Sequence, residues 1–159
     1  MISKMEYNKD KRTKNLTLRD IHVGDWVQVW SETTERYSPP LKIIQICDDG
    51  TIYLVTSDEE RPTPFEEDIK NVDALPIDAD LLRGFGFHLE KFRFKSSIHR
   101  KMTHTVYYGD TIIGVLCVLC EGSISISVKR RDYDYIHELL DILYRDFGIE
   151  NLEWKGVEK

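Results

Sequence analysis

Only one stretch of this chain carries a sustained helical spacing, and it comes late. Ile136, Leu139, Leu140, Leu143 and Phe147 recur three and four residues apart, with Asp132 or Asp134 placed to cap a helix and Gly148 to end it. A lone apolar stripe of that kind must be buried against a layer that is not helical. The segments before it supply such a layer. Ile124, Ile126 and Val128 alternate with Ser123, Ser125 and Ser127, and Thr111 to Cys120 is apolar on both faces, as expected of a central strand covered on both sides. Glu121 and Gly122 offer the turn between them. One helix among many strands predicts an α+β fold whose second half is an antiparallel sheet packed by the C-terminal helix.

The first half reads as strands joined by turns. Leu16 to Trp30 brings a polar leader into a first strand through Gly24 and Asp25, with Trp26, Val27, Val29 and Trp30 as large β-favouring side chains. Ser38, Pro39 and Pro40 interrupt pairing in the loop 31–40. Leu41 to Cys47 is nearly all apolar, Asp49 and Gly50 give a two-residue hairpin signal, and Ile52 to Val55 is the return strand. This pattern predicts a small SH3-like β-barrel or a strongly bent sheet. Phe65 to Val72, with Pro64 before it and Phe65 and Ile69 four apart, reads as a short helical turn lidding that barrel. Asp78 can cap a second short helix containing Leu81 and Leu82, ended by Gly84 or Gly86. Phe85, Phe87, Leu89, Phe92 and Phe94 then mark a strand with one apolar face, interleaved with Lys91, Arg93 and Lys95. The organisation expected is a flexible leader at 1–15, a β-module at 16–76, a helical bridge at 77–88, and sheet plus helix at 89–159. Residues 16–88 and 89–159 are also compatible with one continuous domain.

Charge narrows the classes of function. The chain has 159 residues and a formal net charge of −6, which disfavours nucleic acid as a general partner and adhesion to anionic membranes, while leaving room for a local basic patch. The first fifteen residues hold Lys4, Lys9, Lys11, Arg12 and Lys14 without an apolar segment, and the longest apolar run, Thr111 to Cys120, is about half of what a membrane-spanning helix needs. Three cysteines, Cys47, Cys117 and Cys120, fit reduced thiols in a cytoplasm better than a disulfide framework.

Three separated stretches carry a resemblance. Leu18 to Val27 is similar to a Leu-Arg-x-Gly-Asn-Trp-Val motif, Leu75 to Phe87 to Ile-Pro-Leu-Thr-Glu-Glu-Ile-Leu-x-x-x-Gly-Phe, and Tyr135 to Gly148 to Tyr-Val-His-x-Leu-Gln-Asn-Leu-Tyr-x-x-x-x-Gly. Their order and rough spacing resemble a family of uncharacterised small proteins of gut anaerobic bacteria and their phage or mobile elements. Asp25 stands where that family has asparagine, Asp78 where it has threonine, and Leu140 and Asp141 where it has glutamine and asparagine. The resemblance implies an architecture and a bacterial origin, assigns no catalytic residue, and directs attention to Tyr135 and His137.

The residues bearing chemistry form four groups. Lys91, Arg93, Lys95, Arg100 and Lys101 are five cations with no acid between Glu90 and Asp110, and with Phe92, Phe94, Tyr107 and Tyr108 nearby. They suit a nucleic-acid strand or an acidic partner, and they also match the acidic stretch Asp58 to Asp80, through which halves or copies of the chain could pair. Trp26, Trp30, Tyr37 and Tyr53 fit an aromatic groove or a barrel core. Cys117 and Cys120 are three apart, so on a strand they point to opposite faces and read as core thiols; no metal site is expected. His137 and Asp141 are four apart on the helix, where a carboxylate could orient an imidazole for acid-base work.

No nucleophile elbow, phosphate-binding loop or metal quartet accompanies His137. The functional expectation is a non-enzymatic accessory or adaptor protein that binds a protein partner, with no cofactor. Its binding residues are expected among Lys91, Arg93, Lys95, Arg100, Lys101, Trp30 and Tyr37. The alternatives are a nucleic-acid-binding module using the strand 91–101 and a hydrolase-type enzyme using His137. Homo-oligomers are compatible with either.

Overall fold

A computed structural model describes residues 12–56, 64–92, 100–119, 124–150 and 152–156. The chain is α+β and divides between Leu75 and Pro76 into two compact units.

The first unit is a curled, half-barrel antiparallel sheet. Its strands are β1 (Trp26–Ser31), β2 (Arg36–Tyr37), β3 (Leu41–Ile46), β4 (Thr51–Val55), β5 (Phe65–Asp68) and β6 (Val72–Ala74). The path β2-β1-β3-β4-β5 curls because β6 returns to pair with β1, Val27 opposite Ala74 and Val29 opposite Val72. Turn chemistry starts it. Gly24 takes φ +101 and donates to the Ile43 carbonyl, while Asp25 Oδ2 accepts from the His22 amide at 2.7 Å. Where Pro39 and Pro40 cannot continue the ladder, the Ser38 hydroxyl accepts from the Val29 amide at 2.9 Å. Four residues, Cys47 to Gly50, separate β3 from β4, where a two-residue turn is expected at Asp49 and Gly50. Gly50 at φ +95 donates to the Cys47 carbonyl, and the Cys47 amide donates to Thr51. Ile43, Ile52, Leu54, Val72 and Val27 are fully buried, and Trp26 lies among the core residues with them.

The helical turn expected over Phe65 to Val72 is instead a strand, a 3-10 turn at Ile69–Asn71 and a second strand. Local spacing gives way to long-range pairing: Phe65 to Asp68 hydrogen-bonds β4 in register, and Asp68 caps the turn by accepting from Lys70. Phe65 is half exposed and lids nothing. The segment ending at residue 15, expected to be a loose leader, is knit into this unit from Arg12 onward. Lys14 O accepts from Ala74 N at 2.7 Å, and Leu16 N donates to Val72 O at 3.0 Å.

The second unit contains α1 (Ala79–Gly84), β7 (His88–Phe92), β8 (Arg100–Tyr108), β9 (Thr111–Leu119), β10 (Ile124–Val128), β11 (Arg131–Tyr133) and α2 (Ile136–Phe147). The five strands form an antiparallel meander in order β11-β10-β9-β8-β7. Val106, Leu116, Ile126 and Val128 are fully buried, as are Ile136, Leu139 and Leu143 of α2. Gly114 is required in β9, because a Cβ there would sit 2.2 Å from the Ser127 carbonyl oxygen. Coverage of β9 on both faces is not complete: Ile112 is 59% exposed. Asp78 caps α1 as expected, its Oδ1 accepting from Leu81 N at 2.7 Å. The expected capping of α2 by Asp132 or Asp134 is not found. Tyr135 occupies that position without a side-chain cap, because residues 134 and 135 are held extended by Ile77, which donates to the Asp134 carbonyl, and by a bridge between Pro76 and Tyr135. Gly148, at φ +66, ends α2 with Ile149 N donating to Leu143 O. The buried stripe of α2 includes Ile142, and Leu140 is only half-buried. The turn expected at Glu121 and Gly122 lies outside the described residues.

Candidate functional site

The basic segment 91–101 maps to one margin of the second sheet. Among the described residues β7 pairs only with β8, so β7 is an edge strand. An edge carries backbone donors and acceptors that a further strand can use. Lys91 lies on β7 and is exposed; Arg100 and Lys101 lie at the start of β8; Arg93 and Lys95 are outside the described residues. Phe94 and residues 95–99 are likewise outside.

The approach to β7 is set by α1. Gly86 at φ +94 turns the chain, Gly86 N donates to Arg83 O, and Phe87 N donates to Leu82 O. The helix therefore packs back against β7. Arg83, in its last turn, is exposed and reaches Asp80 at 3.5 Å. A pair this open contributes about 0–1 kcal/mol and does not hold the guanidinium in place. On β7 the side chains alternate: His88 and Glu90 are on one face, 3.5 Å apart, and Leu89 and Lys91 are on the other.

Lys91 stands directly opposite His104 of β8, and Leu116 of β9 stands on the other side of His104. Directly opposed side chains in an antiparallel pair have Cβ atoms about 5 Å apart, so the ammonium and the imidazole share one small region of the sheet face. His104 is part-buried. Its Nδ1 is closed off from solvent and has no hydrogen-bond partner among the described residues. Leaving such a group unsatisfied costs about 1–3 kcal/mol. Burial holds the His104 pKa below the ordinary histidine value, and the charges of Arg83 and Lys91 lower it further. Both effects favour the neutral ring.

The aromatic residues are used elsewhere. Trp26 and Trp30 are both buried, at 1% and 5% exposure, so neither is available to line an open groove. Tyr37 packs edge-on to Trp30 with ring centroids 4.9 Å apart. Its hydroxyl is committed, donating to Asp73 Oδ2 at 2.6 Å and accepting from Thr13 N at 2.6 Å.

That carboxylate is the centre of the largest polar network described, and sequence reasoning missed it. Asp73 is fully buried. Arg12 donates from Nη2 to Oδ1 at 2.6 Å and from Nε to Oδ2 at 2.9 Å, and Asn15 Nδ2 donates to Oδ1 at 3.1 Å. Gln28, the cross-strand neighbour of Asp73, donates to Ala74 O at 3.0 Å. Both carboxylate oxygens are saturated, which leaves no capacity for proton transfer or ligand binding. The network fastens residues 12–15 to β6. The one signal in the sequence is Asp73 placed between Val72 and Ala74-Leu75, an acid inside an apolar run.

The remaining candidates do not converge. Cys117 is buried, with Sγ 3.9 Å from the Val115 carbonyl, and Cys120 lies outside the described residues. His137 is half-buried in the first turn of α2 and stacks on Tyr135, ring centroids 6.1 Å apart; Glu138 and Asp141 are exposed. Among the described residues no group of three or more His, Cys, Asp or Glu side chains could hold a metal ion, and no helix is long and apolar enough to cross a membrane.

No family model matches the chain, and no curated protein or solved structure shows detectable similarity to it.

Proposed function

We propose that this chain is a non-enzymatic adaptor that takes an extended, acidic segment of a protein partner along the outer edge of β7. The observation that carries the reading is the position of β7 at the margin of the second sheet with Lys91 exposed on it and Arg83 exposed beside it. Strand addition supplies affinity through main-chain hydrogen bonds, and the cations select the sign of the added segment. The net charge of −6 works against a nucleic acid, whose phosphates would meet repulsion from the rest of the surface. Reduced cysteines, the resemblance to proteins of gut anaerobes and a bacterial cytoplasm as the setting of an accessory protein belong to the same proposal.

The test is fluorescence anisotropy with two labelled probes, a peptide of alternating glutamate and valine and a single-stranded oligonucleotide. The peptide binds and Lys91→Glu weakens it by about tenfold, equivalent to about 1.4 kcal/mol. Binding of the oligonucleotide in preference to the peptide, or peptide binding indifferent to Lys91→Glu, overturns the reading.

A further inference from the structure

We infer that the β7 edge takes its partner segment antiparallel and in one register, with an acidic residue opposite Lys91, a residue that is not acidic opposite Glu90 and an apolar residue opposite Leu89. That a strand is added there at all rests on the adaptor reading; its direction and its residue pattern follow from the cross-strand rows that end on β7. One row runs from Gly114 through Val106 to Leu89. Val106 is fully buried and Leu89 only half-buried, so the row reaches the edge with apolar surface still open to water. An apolar side chain set opposite Leu89 lengthens that row and removes the surface from solvent.

The other row on this face runs from Ile126 through Leu116 and His104 to Lys91. It is fully buried at Ile126 and Leu116 and exposed at Lys91, which makes no ion pair among the described residues. An acid opposite Lys91 supplies the pair. Between these positions Glu90 stands on the opposite face, across from Thr105, exposed and 3.5 Å from His88. A second acid opposite Glu90 would set like charges against each other, which destabilises a cross-strand pair. The two faces of β7 therefore ask for different residues. A slip of one residue toward His88 moves the acid from Lys91 to Glu90, so the register is specified.

Direction follows from the sheet. All four pairings in it are antiparallel. Antiparallel hydrogen bonds run straight across the strands and are slightly more stable per residue, and sheets of one kind are favoured over mixed ones. Read from its N-terminus, the added segment is then an acid, a neutral or basic residue, and an apolar residue. Parallel addition demands the reverse order.

The test is fluorescence anisotropy of the full chain with three peptides, each carrying the dye at its N-terminus and an amide at its C-terminus so that neither end is charged. Thr-Ser-Glu-Thr-Ile-Ser-Thr carries the pattern. Thr-Ser-Ile-Thr-Glu-Ser-Thr is the same composition in reverse, and Thr-Ser-Glu-Glu-Ile-Ser-Thr places an acid opposite Glu90. The first binds about fivefold more tightly than the reversed peptide. The third binds about fivefold more weakly than the first and regains that factor in Glu90→Gln, an exposed position, while the first changes by less than about twofold in the same variant. A reversed peptide that binds as tightly as the first overturns the direction, and a third peptide that binds as tightly as the first overturns the register. The adaptor reading is judged separately. If the first two peptides bind equally and both are weakened by Lys91→Glu, the adaptor stands and its direction falls; if none of the three binds and the peptide of alternating glutamate and valine does not bind either, the adaptor falls and the register with it.

Discussion

The Tyr37 hydroxyl donates to Asp73 Oδ2 at 2.6 Å, joining β2 to a carboxylate 36 residues further along the chain, and Arg12 closes on the same carboxylate from the N-terminal segment. An acid that would be unfavourable in the core is thereby turned into the fastening of the first unit. Removing either side of such a buried pair is costly, because the other side keeps its desolvation without its partner.

Arg12→Ala is expected to destabilise the first unit by about 3 kcal/mol, since it leaves Asp73 buried with only Tyr37 and Asn15 as side-chain donors. Asp73→Asn should cost a similar amount. Denaturant unfolding followed by Trp26 and Trp30 fluorescence checks both. A loss below about 0.5 kcal/mol in Arg12→Ala would mean that the N-terminal segment is not fastened to β6.

Tyr37→Phe removes one charge-assisted hydrogen bond and keeps the ring packing on Trp30, for a loss of about 1.5 kcal/mol at neutral pH. Burial, and then the bond to Asp73, raises the Tyr37 pKa above its ordinary value. A group raised in the folded state stabilises fully below its unfolded pKa, about 10 for tyrosine, and loses that contribution as pH climbs through the folded value. The stability gap between wild type and Tyr37→Phe should therefore be constant up to about pH 10 and shrink above it. A gap that widens with alkalinity would contradict the assignment.

The strands of the first unit were legible because their signals are local. Gly24 and Gly50 mark turns, and alternation marks the strands between them. β5 and β6 were not legible, because four and three residues are strands only by virtue of pairing with β4 and β1. Asp73 was hidden for a related reason: inside the acidic stretch Asp58 to Asp80 it reads as one more solvated charge, and only the return of β6 to β1 puts it in the core with Arg12. The candidate site was half legible. Lys91 stands out in the cation run, whereas its position on an edge strand opposite His104 follows only from the strand order and register.

Gly84→Ala sets two effects against each other. Alanine gains about 1 kcal/mol of helix propensity in α1. Its Cβ would meet the Trp154 ring at 2.1 Å, and Trp154 packs edge-on against Phe85 at 5.1 Å while Lys155 N donates to Gly84 O. Overpacking of that kind costs about 1–3 kcal/mol, so the variant should be less stable overall. Its tryptophan emission should shift to the red as Trp154 is displaced; unchanged emission with raised stability would show that the ring moves aside freely.

His104 gives the second unit an acid-side dependence. Its pKa is lowered in the folded state, by burial first and by Arg83 and Lys91 after it. The unfolded chain then binds the proton more tightly, so stability is complete above about pH 6.5 and falls as pH drops below that value. His104→Gln should flatten this part of the stability profile, measured by thermal unfolding between about pH 7 and pH 4.5. An identical slope in the variant would place the dependence elsewhere.

The adaptor reading is tested most directly by backbone amide shifts of the full chain during titration with the peptide of alternating glutamate and valine. The account predicts shifts concentrated along His88 to Phe92 and at Arg83, with little change along β11, the opposite margin of the same sheet. Shifts confined to β11 or to the first unit, with β7 silent at saturating peptide, would contradict it.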